Sequence, residues 1–228
     1  MSRRYLCLIV LVIGIVLPPG CKKAPTGPDL SNPKAAAITF AKAMEEGDVE
    51  TAKNSAIAGG MEVDLVVSMT KATAALRKLG AACRAKFGDS ANVMLKETGA
   101  IDASVALVNA NVEFDGEESA TVTPTDGKVA VPVRLVEGNW KVDIGALVKG
   151  DDITNSVPLL STVADAASQL TPDVEAGKYK SPEEVKLAMQ AKMFELIGKE
   201  MPASVFPGGQ RPTTAPADGA TTAPEVAP

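Results

Sequence analysis

The chain reads as an α+β protein: N-terminal helices packed on a curved antiparallel sheet, followed by C-terminal helices and a disordered tail. Three observations predict this. Apolar residues recur at helical spacing from about residue 33 to 88, and at a period of two from about 100 to 144. Helical spacing returns after Gly150 and gives way to an aperiodic stretch rich in Pro, Thr and Ala. Strands that follow helices as a block, without alternating with them, point to α+β and not to a parallel α/β sheet. Hydrophobic residues make up 46% of the 228, enough for one or two packed domains, while aromatic residues make up only 4%, so the core must be built from small aliphatic groups.

The first segment is not part of that body. Arg3 and Arg4 precede an apolar run from Tyr5 to Leu17, which Pro18-Pro19-Gly20 stops before Cys21. The run falls short of the ~20 residues a helix needs to cross a hydrocarbon core, and its charged start and abrupt end predict an export signal over residues 1–20. With Gly20-Cys21 at its end, the segment resembles a bacterial lipoprotein signal peptide, in which a small residue precedes an invariant cysteine. The resemblance implies cleavage between Gly20 and Cys21, a diacylglyceryl group on the Cys21 sulfur, and acylation of the new N-terminus, for example with palmitate. Pro18 stands where that family has leucine, with Leu17 one place further back. Pro19 takes a position usually given to a small residue. Each buried methylene contributes ~0.8 kcal/mol, so two or three acyl chains hold a protein where one holds it only marginally. Residues 21–32 then form a Pro- and Gly-rich tether.

Ser31-Asn32-Pro33 predicts a helix start, Ala37, Phe40, Ala41 and Met44 its apolar stripe, and Gly47 its end. Asp48 caps a second helix through about Ala58, broken by Gly59-Gly60. A longer helix carries Leu65, Met69, Ala72, Leu76, Leu79 and Cys83 on one stripe and ends near Gly88. Val105 and Leu107, then Val108, Ala110, Val112 and Phe114, alternate with a one-residue phase slip that predicts a bulge or a boundary. Ala120–Thr123 is a strand. Asp126-Gly127 is a hairpin turn. Val129, Val131, Val133 and Leu135 alternate, and Pro132 implies an edge position or irregular pairing. Glu137-Gly138-Asn139 turns the chain into a last strand with Trp140, Val142 and Ile144.

"FAKAMEEGDVETA" (Phe40–Ala52) and "VAVPVRLVEGNWKVDI" (Val129–Ile144) resemble the nuclear-transport-factor-2-like superfamily over residues 33–149. That resemblance implies a cone of helices packed against a strongly curved antiparallel sheet. Its enzymes use acidic or histidine side chains in the cavity, and none of their catalytic residues maps onto this chain. Beyond residue 149, Ser156–Leu170 carries Leu159, Leu160, Val163 and Ala167. Ser181-Pro182-Glu183-Glu184 starts a helix striped by Val185, Met189, Met193 and Leu196. The expected organisation is an α+β domain over 33–149, a helical extension over 150–205 packed on it, and a disordered tail over 206–228.

The chain has no histidine, which removes the commonest general base and most zinc sites. Without residues 1–20, 21 basic and 28 acidic residues leave a net charge of −7, giving no pull toward nucleic acid. Of Cys7, Cys21 and Cys83, the first leaves with the signal and the second carries lipid, so Cys83 is a structural cysteine on an apolar stripe. Asp143 and Glu113 read as solvated strand residues. Glu45-Glu46, Asp48-Glu50 and Asp151-Asp152 read as solvated helix ends, and Met189 with Met193 as core. No catalytic, cofactor or metal residues are expected.

The sequence therefore predicts a non-enzymatic, lipid-anchored protein on the periplasmic side of a cell membrane or outer membrane, with Cys21 as its lipidation site. Its expected partners are membrane lipid and an envelope protein or small molecule. Two alternatives stay open. One is a ligand carrier or enzyme with Asp143 or Tyr179 in a deep cone cavity. The other is a scaffold that binds a partner protein through an exposed apolar patch on helix 182–200.

Overall fold

The computed structural model of the protein describes residues 27–91, 103–125, 129–148 and 150–200. Helix α1 spans Pro33–Glu46. The Asn32 side chain accepts the Ala35 N–H at 2.9 Å, and Pro33, with no N–H to leave unpaired, takes the first position. Gly47 ends the helix in the left-handed region, at φ 78°. Asp48 then caps α2 (Val49–Asn54), accepting the Thr51 N–H at 3.0 Å, a bond that holds its carboxyl below the ordinary 3.8.

Helix α2 stops short of the expected Ala58. Ser55 leaves it, and Ala56–Ile57 becomes strand β1. Two residues carry no periodic signal. They are held by backbone pairing, with the Ser55 carbonyl accepting the Val142 N–H at 2.9 Å.

Helix α3 runs over Met61–Phe87, as its stripe predicts. Beyond a short 3-10 turn at Gly88–Ser90, the structure corrects the sequence reading. Ala103–Val108 is a helix, α4, and the phase slip marks its junction with strand β2 (Asn111–Phe114). Over six mostly apolar residues neither period dominates. The side chains that go inward are Ser104 and Leu107, spaced for a helix.

Strands β3 (Ser119–Thr123), β4 (Val131–Val136) and β5 (Asn139–Asp143) complete an antiparallel meander with β2. Strand β1 adds to β5 in parallel, so the described strands form one mixed sheet in the order β1-β5-β4-β3-β2. Glu137 (φ 51°) and Gly138 (φ 78°) make the tight turn between β4 and β5. Asp126-Gly127 lies outside the described residues. Ile144, expected to end β5, instead opens a short helix α5 (Ile144–Leu147), which the Asp143 side chain caps at Ala146.

Pro132 lies in a central strand, not at an edge. The Leu135 N–H donates to the Glu118 carbonyl, so alternate residues 133 and 135 turn their backbone to β3. Pro132 therefore faces the β5 side, one residue beyond the last pair, Val133 with Val142. Its missing N–H costs the ladder nothing there.

One face of the sheet receives α1. Ala36, Ala37, Phe40 and Ala41 meet Ala120, Val122, Val133 and Val142, with Leu65 and Val66 of α3 and Leu107 of α4 closing the sides. Phe114 and Trp140 share that face, and their rings meet edge to face at 6.0 Å although β3 and β4 lie between them. Three inter-strand steps on a flat sheet span roughly 14 Å. The sheet therefore curls toward this face.

Helix α6 (Gly150–Glu175) and α7 (Pro182–Glu200) follow. They build a second core on the C-terminal half of α3. Ala72, Ala75, Leu79 and Cys83 pack there with Ala164, Ala167, Leu170, Val174 and Val185. The predicted α3 stripe is thus divided, Leu65 and Met69 serving the sheet and the rest serving α6 and α7.

Glycine is required at Gly47 for two reasons, its positive φ and an added Cβ that would lie 3.1 Å from Ala74 Cβ, whereas Gly138 has a similar φ and open space around it. Gly138→Ala should cost about 1 kcal/mol from the left-handed backbone alone, and Gly47→Ala about 2–3 kcal/mol because α1 must also move from α3. Urea denaturation followed by Trp140 fluorescence separates the two.

Candidate functional site

Gly20 and Cys21 lie outside the described residues. What the structure does fix is how the folded body begins. The Trp140 N–H of β5 donates to the Leu30 carbonyl at 3.0 Å, continuing the sheet edge where β1 has ended. Thr39 Oγ1 donates to the Asp29 carbonyl at 3.0 Å, and the Ser31 hydroxyl and N–H hold the Asp29 carboxyl below its ordinary value. Residues 29–32, the end of the expected tether, are therefore fastened to α1 and β5.

The largest departure from the sequence reading is Glu45. It was expected on a solvated helix end, yet it is only 8% exposed. Its Oε2 takes Arg77 Nη1 of α3 at 2.9 Å and Ser104 Oγ at 2.8 Å, and its Oε1 takes the Ser104 N–H at 2.8 Å. One carboxylate thus ties α1 to α3 and caps the start of α4. A signal existed: Ala37, Ala41 and Glu45 lie one helical turn apart on the buried side of α1. The cluster is a structural clasp, since every carboxylate oxygen is engaged with protein donors.

The other candidates are placed as follows. Asp143 is not solvated. Its side chain is 14% exposed, caps α5 and pairs with Arg134 Nε of β4. Glu113 is exposed on β2. Cys83 is fully buried in the second core, and desolvation pushes its thiol above the ordinary 9.0. Glu50 pairs with Lys53 at 3.1 Å. Met189 packs against the second core. Tyr179 borders that core and lines an open recess of about 750 Å³ between α6 and α7, together with Asp173, Lys192 and Glu195. A second open recess, of about 530 Å³, lies between Lys78, Ala82 and Lys86 of α3 and Thr171 and Glu175 of α6. Neither contains Asp143. Among the described residues no three Cys, Asp or Glu side chains converge as metal ligands, and no helix is long and apolar enough to cross a membrane.

Large exposed apolar side chains occur on several elements of the described residues, Met61, Val105, Val108, Val129 and Leu159 among them. Leu187 and Phe194 are 64% and 66% exposed and lie two turns apart on α7. Phe114 is 63% exposed on β2. No family model matches the chain, nor does any of the curated proteins or solved structures compared with it.

Replacing Glu45 by Ala leaves the buried Ser104 N–H and hydroxyl without their acceptor and breaks the tie from α1 to α3, and should destabilise the fold by about 3 kcal/mol; Ser104→Ala should cost about 1 kcal/mol. Equilibrium urea unfolding measures both. Because burial favours the protonated Cys83 thiol, the folded state holds that proton where the unfolded chain releases it. Stability should therefore fall as pH rises through and beyond the thiol's ordinary 9.0, and Cys83→Ala should remove that component of the slope.

Proposed function

We propose that this is a lipid-anchored protein on the extracytoplasmic side of a bacterial cell membrane or outer membrane. It is held by Cys21 and acts by binding or by structural support, not by catalysis. The observation that carries the reading is the junction of an apolar run, Gly20 and Cys21 behind two arginines. Two features of the body agree with it. Among the described residues, the first backbone group fastened to the sheet is that of Leu30. Fully extended, the eight residue steps from Cys21 to Asp29, whose carbonyl Thr39 holds, reach at most roughly 28 Å, which keeps the body close to the bilayer. Two ionisable groups that could have favoured an enzyme are also committed elsewhere. Asp143 serves Arg134 and α5, and Cys83 is fully buried in the second core. The likeness to the cone-shaped superfamily belongs to the same reading, supported by the curl between Phe114 and Trp140.

A second reading, a scaffold that binds a protein through its C-terminal helix, is favoured by Leu187 and Phe194, which share the outward side of α7. Leu187→Asp with Phe194→Asp should leave stability within about 0.5 kcal/mol of wild type, since neither side chain is buried. Loss of a co-purifying protein in that variant would support the scaffold.

Intact-mass analysis of the membrane fraction from native cells tests the anchor. Wild type should begin at Cys21 and carry a diacylglyceryl group with or without a further acyl chain. Cys21→Ser should leave the membrane fraction unlipidated. An unmodified thiol in the wild-type mature chain would overturn the reading.

A further inference from the structure

Among the described residues, the sheet has one open edge long enough to extend. Strand β2 is the last in the order, and three of its four residues are exposed. The Asp115 N–H donates to the Ser119 carbonyl at 2.9 Å, and the register pairs Glu113 with Thr121 and Asn111 with Thr123. Residues 111, 113 and 115 therefore turn their backbone to β3. Val112 and Phe114 turn theirs outward, and among the described residues no hydrogen bond reaches those groups. The opposite edge is different: β1 is two residues long, and Leu30 continues it.

The charge around this edge has one sign. Residues 103–125 hold Glu113, Asp115, Glu117 and Glu118 and not one lysine or arginine. All four carboxylates are exposed, and among the described residues none has an ion-pair partner or a side-chain hydrogen bond. Acidic residues at a sheet edge guard it against pairing with a second copy, because two such edges repel. The same charge disfavours an anionic lipid surface. Guarding accounts for Glu113 and the turn, but not for Phe114, a large ring on the strand itself, lying edge-on to Trp140 and mostly in water.

We propose that β2 takes up an extended basic segment of a partner protein as an added strand. Backbone groups of Val112 and Phe114 supply the pairing. Alternation supplies the selectivity: Val112 and Phe114 lie on the concave side of the sheet and Glu113 on the other. The segment that fits therefore alternates, its apolar side chains beside Phe114 and its lysines or arginines beside Glu113 and the turn carboxylates. This goes beyond the lipid anchor and does not depend on it, so the mass of Cys21 and the binding of a peptide fail separately.

The test titrates the mature full-length chain, with whatever modification it carries, against a labelled acetyl-KVKVKVK-amide peptide. Saturable binding is expected, weakened about tenfold or more by high salt. An otherwise identical peptide N-methylated along one edge should bind at least about tenfold more weakly, because it cannot complete the strand ladder. Hydrogen exchange at the Val112 and Phe114 amides should slow in the complex. Glu113→Lys with Glu117→Lys should weaken binding by a similar factor, and both changes lie on exposed positions that leave the fold intact. The proposal is overturned if no saturable binding occurs up to about 1 mM, if the N-methylated or an acidic EVEVEVE peptide binds as well, or if those two amides exchange as before.

Discussion

Helix α3 has to satisfy two cores at once. Its 27 residues extend about 40 Å, well beyond what the curled sheet and α1 cover. The N-terminal half puts Leu65 and Val66 against the sheet. The C-terminal half continues the same stripe with Ala72, Leu79 and Cys83, which water would meet without α6 and α7. The C-terminal helices are therefore the second wall of a helix whose first wall is the sheet. The need for that cover explains why α6 lies along α3 and not on the open face of the sheet.

Close approach in both cores relies on alanine. Ala36, Ala37 and Ala41 on α1, and Ala72 and Ala75 on α3 facing Ala164 and Ala167 on α6, let helix backbones come near each other with little side-chain entropy to lose. Small residues also make such a core sensitive to volume, since a well-packed helix pair has no space for added methylenes. Where the alanine stripe of α1 ends, Glu45 replaces apolar contact by three hydrogen bonds to α3 and α4. A buried carboxylate is tolerated only with that degree of satisfaction. It fixes where α4, and hence the start of β2, meets the body.

Much of this architecture was legible in the sequence because local chemistry decided it. Asn32-Pro33, Gly47-Asp48, Glu137-Gly138 and Ser181-Pro182 each name a boundary through a cap or a backbone angle, and the structure uses them as such. What was hidden depended on distant partners. Ala56–Ile57 is a strand only because Val142 offers an N–H to Ser55. Ala103–Val108 is a helix in part because Glu45, far away in sequence, caps it. Asp143 and Glu45 were read as solvated because periodicity reports which side of an element a residue occupies, and not whether a guanidinium waits there. At the candidate sites, the Cys21 signal is wholly a matter of sequence, whereas the open β2 edge follows from strand order, which alternation alone does not specify.

Native-state hydrogen exchange, resolved by segment, tests most directly the claim that α3 joins both cores into one cooperative unit. The account predicts that the slowest amides of α3, of α6 around Ala167 and of β4 and β5 share one opening free energy, close to that of global unfolding. If the C-terminal half of α3 and α6 open together at a clearly lower free energy while the sheet stays protected, the two cores are independent and the account is contradicted.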